Sequence, residues 1–427
     1  MKTIPLYLFL AGGLLLSSCN GNGQVKKSEK EAIAKQGSTT VKTAIGDLVL
    51  PAPYSSESVT KNSSMKDWPV GTTPKAPAGF TVTKFADGLK NPRSTYIAPN
   101  NDIFVVESNT SSSANQISVF RDSDKDGVFE TRQVFKDGLN KPFGMLILNN
   151  YFYIANTDGL YRFPYKEGQL KLEGKGEKIV TLPAGGYNNH WTRNLLASAD
   201  GSKIYISVGS GSNNGENGMD KEVRRANILE INPDGSGEII YASGIRNPVG
   251  MDWNPVNHEL WTAVNERDEL GDELVPDYVT SVKKGGFYGW PYSYYGQIED
   301  PRMKGHAKDL VAKAIVPDVP VGPHTASLGF AFYTKDAFPA SYKNGAFVGQ
   351  HGSWNRSKLS GYKVLFIPFK DGKPSGKPQD FLTGFIANED KAEVYGRPVA
   401  VTVMKDGSLL VNDDSANTIW QVTANKK

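Results

Sequence analysis

From about residue 78 the chain alternates short apolar runs with polar turns of Gly, Asn, Asp and Pro, and no long stretch carries a helical period. The unit recurs. GLKNPRSTYIAPNNDIFVVES begins at Gly88, GLNKPFGMLILNNYFYIANTDGLYRF at Gly138, TRNLLASADGSKIYISVGS at Thr192 and GIRNPVGMDWNPVNHELWTAVNE at Gly244. TASLGFAFY then leads to NGAFVGQHGS and GYKVLFIPF, and GRPVAVTVMKDGSLLVNDDSANTIWQV begins at Gly396. Each copy reads as a turn, a strand, a polar turn and a second strand. Six copies at a spacing of roughly 50 to 80 residues predict an all-β, six-bladed β-propeller of four-stranded antiparallel blades over residues 78–427. A large two-sheet sandwich is the competing architecture. Most of the extra length falls at 270–323, which predicts a long loop on one face of the wheel.

The first residues follow a different pattern. MKTIPLYLFLAGGLLLSSC places Lys2 before an apolar run, Ile4 to Leu16, that is short for a membrane span. Its ending LSSC looks like a bacterial lipobox, which predicts a signal peptide over 1–18 and lipidation of Cys19. The protein is then anchored to a membrane rather than spanning it, in the cell envelope, at the outer membrane facing the periplasm. Residues 19–77 are rich in Ser, Thr, Lys, Glu and Pro and read as a tether and extended lead-in, with a weak short helix in VKKSEKEAIAKQG.

Composition mostly removes possibilities. With 48 Lys+Arg against 45 Asp+Glu the charge is almost balanced, so no nucleic-acid partner is expected. Cys19 is the one cysteine, which excludes an intramolecular disulfide, a cysteine zinc site and a CxxCH haem site. A P-loop, a GxSxG elbow, an HExxH pair and a GxGxxG between strand and helix are all absent.

Candidate chemistry gathers at the starts of the repeats. Arg93, His190, Arg193, Arg246 and Arg397 stand at or just before a copy's first strand, the position whose turns converge on one end of a propeller channel. Arginines aimed at one axis suit a polycarboxylate or phosphate, because guanidinium forks pair carboxylates in bidentate fashion; otherwise each caps its own blade. NERDELGDELVPD, 265–277, offers hard oxygen ligands suited to calcium, and so do Asp122, Asp124 and Asp126 of DSDKDGVFE. The latter is no EF-hand, since Gln133 stands at the twelfth position, and a simple Asx-turn cluster is equally consistent with it. GQHGSWNRSKLSGY, with His351, Trp354, Asn355 and Arg356, and GGFYGWPYSYYG suit a planar ligand or a sugar.

HWTRNL, GIRNPVGM, NERDELGDEL, GGFYGWPY, HGSWNR and GRPVAV, in this order over residues 78 to 424, resemble the soluble quinoprotein glucose/sorbosone (pyranose) dehydrogenases, nearest to the sorbosone branch. The resemblance implies a propeller holding pyrroloquinoline quinone (PQQ) beside a calcium ion, a sugar or related hydroxyl or aldehyde substrate, and a separate electron acceptor. It implies His190 as the general base, Arg246 beside the reactive carbonyl, and Asn247 and Arg397 on PQQ. Main-chain oxygens at Arg267 and Asp268 would hold the calcium, and Arg93, His351 and Arg356 are further cofactor contacts by position. Two positions depart from the pattern: Ser210 stands where an aspartate orients the histidine of the glucose enzymes, and Tyr395 where a second arginine precedes the one matching Arg397. A non-catalytic envelope-binding propeller and a calcium-dependent, lactonase-like hydrolase are the competing functions.

Overall fold

The computed structural model describes residues 24–425; the leader 1–18 and Cys19 lie outside the described residues. Six four-stranded antiparallel sheets form the blades of a propeller. Their innermost strands, blades 1 to 6, are Pro92–Ile97, Gly144–Leu148, Leu195–Ala197, Pro248–Trp253, Ser327–Phe332 and Pro398–Val403.

Burial explains the pattern in the sequence. The second strands Ile103–Glu107, Ile204–Val208, Leu260–Val264, Ala346–Gln350 and Leu409–Asp413 are buried at every residue, because a neighbouring blade covers each face. They read as continuous apolar runs for that reason. Outer strands such as Thr131–Lys136 and Ile239–Ser243 keep exposed positions. One apolar core lies between each neighbouring pair of blades. Phe104, Phe135 and Phe152 fill the space between blades 1 and 2, and Trp261, Phe330 and Phe332 that between blades 4 and 5. Phe143, Val249, Leu328 and Val399 form a separate plug on the axis.

The ring closes by strand exchange between the two ends of the propeller. Phe80–Ala86 is the outermost strand of blade 6, antiparallel to Thr418–Ala424 with Phe80 opposite Ala424. The extra length seen at 270–323 sits inside blade 4, between its third strand Pro276–Ser281 and its fourth strand Val319–Pro323.

The tether expected before the propeller needs correction within the described residues. After a helix at Lys27–Ala34 the chain forms a hairpin, Thr39–Thr43 with Gly46–Leu50, whose Val41 and Leu50 enter the core between blades 3 and 4. Ser64–Met65 runs parallel to Glu393–Val394, and Trp68 stacks on Tyr395 at 4.9 Å. The segment is too polar to build a core of its own, but its few apolar side chains dock on the blades. It is an ordered strap.

Glycines on the inner strands set how closely blades approach. A Cβ on Gly329 would lie 2.2 Å from the Val399 carbonyl oxygen, and one on Gly349 at 2.1 Å from the same atom. Gly329→Ala should therefore destabilise the protein by about 1–3 kcal/mol through overpacking of blade 5 on blade 6. Denaturant unfolding checks this, and Gly37→Ala, which meets no atom within 4 Å, serves as the control.

Candidate active site

The turns leading into the inner strands do converge, on a cavity of about 240 Å³ at one end of the channel. Arg93, His190, Arg246, Asn247, His324 and Arg397 line it from the blade starts, and Asp268 and His351 enter from loops of blades 4 and 5. Its floor is Leu328, part of the axial plug, which also borders a 320 Å³ cavity in the other half of the channel.

His190 is buried and held by one ring nitrogen. Nδ1 lies 2.9 Å from both the carbonyl oxygen and Oγ of Ser210, and Ser210 Oγ donates onward to the Ser212 carbonyl at 2.6 Å. A carbonyl oxygen only accepts, so Nδ1 carries the proton and Nε2 carries the lone pair. Nε2 has no protein partner among the described residues. Burial, then the Arg246 charge, lowers the His190 pKa to about 3, so the ring is neutral across the physiological range. Gly209 makes this packing possible, since a Cβ there would lie 2.5 Å from His190 Cβ and 2.4 Å from Asn247 Oδ1. Asn189 joins the site through its backbone, donating its N–H to the Gly211 carbonyl.

Two charged relays flank the base. In one, Arg246 donates through Nη2 to Asp268 Oδ2 at 3.0 Å, while Asp268 Oδ1 accepts from Asn355 Nδ2 at 2.8 Å and faces His324 Nδ1 at 3.4 Å. Burial alone would raise the Asp268 pKa, but Arg246 and His324 outweigh it and hold the carboxylate well below its usual range. Burial likewise pulls His324 down, and Asp268 more than reverses this, so its pKa is raised. In the second relay, His351 Nε2 lies 2.8 Å from Asp414 Oδ1, and Arg93 Nη1 donates to Asp414 Oδ2 at 2.6 Å. Burial and Arg397 lower His351 to about 4.

Arg397 differs from its neighbours. Its Nε and Nη2 donate to the carbonyls of His351 and Gly352, at 2.9 and 2.7 Å, and it has no carboxylate partner among the described residues. Arg93 Nε and Asn247 Oδ1 are buried without hydrogen-bond partners. An uncompensated guanidinium beside the unpartnered Arg93 Nε–H suits an anionic ligand with several oxygens, so these donors fit a planar polycarboxylate such as PQQ, while Asn247 Oδ1 is left to accept from a donor. Asp268 and the carbonyls of Asn265 and Glu266 are the hard oxygens nearest this ligand space, and in this structure all three face the Arg246 guanidinium, so a calcium ion held there would take over oxygens that Arg246 now occupies.

Three expected positions fall elsewhere. Arg193 is fully buried and caps the carbonyls of His190, Thr192 and Pro183, bracing the turn from behind rather than facing the axis. Arg356 is a correction: it binds the Asp272 carbonyl and Glu273 on the rim, outside the axial pocket. Arg267 turns its guanidinium away to a buried pair with Asp300 at 2.6 Å, and its carbonyl accepts from Val275 N–H. Asp122, Asp124 and Asp126 do gather, with Glu130, so that their ligand atoms lie within 4.8 Å of one another on the outer hairpin of blade 1. Their carboxylates also accept N–H groups of that same turn, those of Gly127, Asp126 and Val128. His324 and Asp414 were not foreseen. His324 stands at a blade start, the position that had singled out His190.

The TrAA12-like family model matches residues 74–283 and 299–425. The chain belongs to the TrAA12-like family. This TrAA12-like chain is 29% identical over 366 residues to an uncharacterized protein of Borreliella burgdorferi, covering 83% of this chain and 91% of that one. It is 30% identical over 186 residues to the aldose sugar dehydrogenase YliI of Escherichia coli, covering 43% and 44% of the two. Among solved structures, the family AA12 enzyme of Trichoderma reesei superposes with a TM-score of 0.70 at 19% identity, covering 84% of this chain and 100% of that one. The holo form of the PQQ domain of pyranose dehydrogenase from Coprinopsis cinerea superposes with a TM-score of 0.69 at 19% identity, covering 85% and 100%. These two likenesses are of fold.

The hydrogen bonding predicts separate titrations for two histidines. Imidazole nitrogen NMR should find His190 as the neutral Nδ1–H tautomer throughout pH 5–8, and His324 titrating above the ordinary histidine value. A His190 titration near 6.5 would contradict the assignment.

Proposed function

We propose that the protein is a PQQ- and calcium-dependent dehydrogenase that oxidises a sugar, or a related hydroxyl or aldehyde compound, with His190 as the general base. The carrying observation is the lone, outward Nε2 of a neutral His190 in a pocket whose Arg397 lacks a carboxylate partner. The sugar dehydrogenases among its relatives support the reaction class.

When bound, PQQ supplies an ortho-quinone that accepts hydride and calcium polarises that quinone. The chain's own residues do the rest. His190 Nε2 accepts the substrate hydroxyl proton while the Ser210 carbonyl holds the tautomer that leaves Nε2 free. Arg246, fixed by Asp268 and by main-chain oxygens, places positive charge where negative charge develops. Arg93, Asn247, His351 and Arg397 bind and orient the carboxylates. Asp268 and nearby loop carbonyls would hold the ion. The apolar plug at Leu328 closes the pocket from below and excludes water on that side. Reoxidation requires a separate acceptor. Cys19, as lipid anchor, would keep the protein at the envelope, and the sorbosone-type substrate belongs to this same proposal.

Reconstitution tests it. The apo-protein should bind PQQ saturably in the presence of calcium and then oxidise members of a sugar panel. His190→Ala should lower kcat by roughly 10²–10⁴ while PQQ still binds. Arg397→Ala should weaken PQQ binding roughly ten- to hundredfold, the loss of one charge-assisted contact. Absence of saturable PQQ binding to the wild type would sink the reading.

A further inference from the structure

His190 is held by a carbonyl, and the peptide group behind that carbonyl is itself held by a carboxylate. The Ser210 oxygen that accepts from His190 Nδ1–H at 2.9 Å belongs to the same planar unit as the Gly211 N–H, which donates to Glu222 Oε2 at 2.7 Å. The other oxygen of Glu222, Oε1, accepts the Ser212 N–H at 2.9 Å and the Ser212 hydroxyl. Glu222 ends a one-turn helix, Met219–Glu222, and is 5% exposed. Among the described residues its side chain binds only residues 211 and 212. Arg225, three residues on, gives its Nη1 to Asn188 Oδ1 instead. A buried carboxylate is costly unless its oxygens are hydrogen-bonded, and here the loop behind the base supplies the donors.

That loop is held at every backbone group from 210 to 212. Ser210 N–H donates to the Arg246 carbonyl at 2.7 Å, the Gly211 carbonyl accepts from Asn189 N–H at 3.0 Å, and the Ser212 carbonyl accepts from Ser210 Oγ at 2.6 Å. Gly211 leaves the carboxylate room, since a Cβ there would lie 3.3 Å from Glu222 Oε1 and 3.1 Å from the Tyr187 carbonyl oxygen. Hydrogen bonds in series polarise one another, and a carboxylate acceptor does so more than a neutral one. A carboxylate on the N–H of a peptide therefore makes the C=O of that peptide a stronger acceptor. Burial, then Arg246, lowers the His190 pKa, and the bond to the Ser210 carbonyl opposes both.

We propose that Glu222 is a positioning residue for His190, acting through the Ser210–Gly211 peptide: it supplies, one peptide group removed, the carboxylate that Ser210 does not. Its effect on the ring is independent of any reaction, and its effect on turnover rests on the dehydrogenase reading above.

The test uses the full chain, apo for spectroscopy and loaded with PQQ and calcium for turnover on a sugar panel. Glu222→Gln keeps the shape of the side chain and removes the carboxylate. In the apo-protein, imidazole NMR should show the His190 Nδ1–H proton moving upfield of its wild-type position, with an Nε2–H fraction appearing. In the loaded protein the same variant should lower kcat roughly tenfold, a fraction of the loss expected without the base, and leave KM within about twofold. Should Glu222→Gln not fold, Gly211→Ala, which crowds Glu222 Oε1, takes its place and should move the resonance the same way by less. A brace for the loop and nothing more would lower thermal stability and leave the resonance and tautomer as in wild type, and that result overturns the proposal. A shifted resonance with wild-type kcat overturns it as well. A shifted resonance with no sugar oxidation by any form upholds the bridge to the ring and removes the dehydrogenase reading. Sugar oxidation by the wild type with an unmoved resonance does the reverse.

Discussion

Ring closure is the constraint on which the site depends. The ladder between Phe80–Ala86 and Thr418–Ala424 ties the start of the propeller to its end, and each blade then has a neighbour on both faces. The Arg93–Asp414–His351 relay crosses that seam, drawing on blade 1, the end of blade 6 and the loop of blade 5. Three ionisable groups buried this deeply are tolerable only when each meets its partner. The pocket therefore exists only in the closed ring, and the inner-strand glycines set how narrow its axis is.

The electrostatics of the base follow from the same crowding. A carboxylate on Nδ1 would raise the basicity of His190. Ser210 offers a carbonyl and a hydroxyl, which fix the tautomer but add no negative charge, and Arg246 then depresses the ring further. The result is a base that is always available and intrinsically weak. An anion settling among Arg93, Arg246 and Arg397 would offset the Arg246 field and move His190 back toward its ordinary value. Arrival of the ligand and activation of the base are in that sense one electrostatic event.

Much of this was legible in the sequence, for physical reasons. Burial on both faces leaves an unbroken apolar run, so the second strands announced the blades. Repetition of the turn before each inner strand announced which residues meet on the axis: Arg93, His190, Arg246 and Arg397 all line one pocket. Arg193 and Arg356 show the limit of position alone. Whether an arginine faces an axis or caps carbonyls depends on a rotamer chosen by its surroundings, and Arg193 found three carbonyls within reach. Asp414 was invisible because its meaning comes from His351, 63 residues earlier, and Arg93, 321 residues earlier. Ser210 was visible as a departure, but its carbonyl, which does much of the orienting, carries no side-chain signal.

The strap shows why composition misleads in the other direction. Low hydrophobicity says that a segment cannot fold on its own, not that it will stay loose. Here the propeller supplies what the strap lacks. Loop carbonyls at Leu270 and Trp354 take its N–H groups, and the blades take Val41, Leu50 and Trp68. The benefit is mutual. The loops that the strap bridges carry Asp268 and Asn355, whose hydrogen bond at 2.8 Å holds the Arg246 relay in place. Loosening the strap would free both loops at once, so a segment far from the base in sequence, and before the family match begins, bears on how firmly the base's neighbours are held.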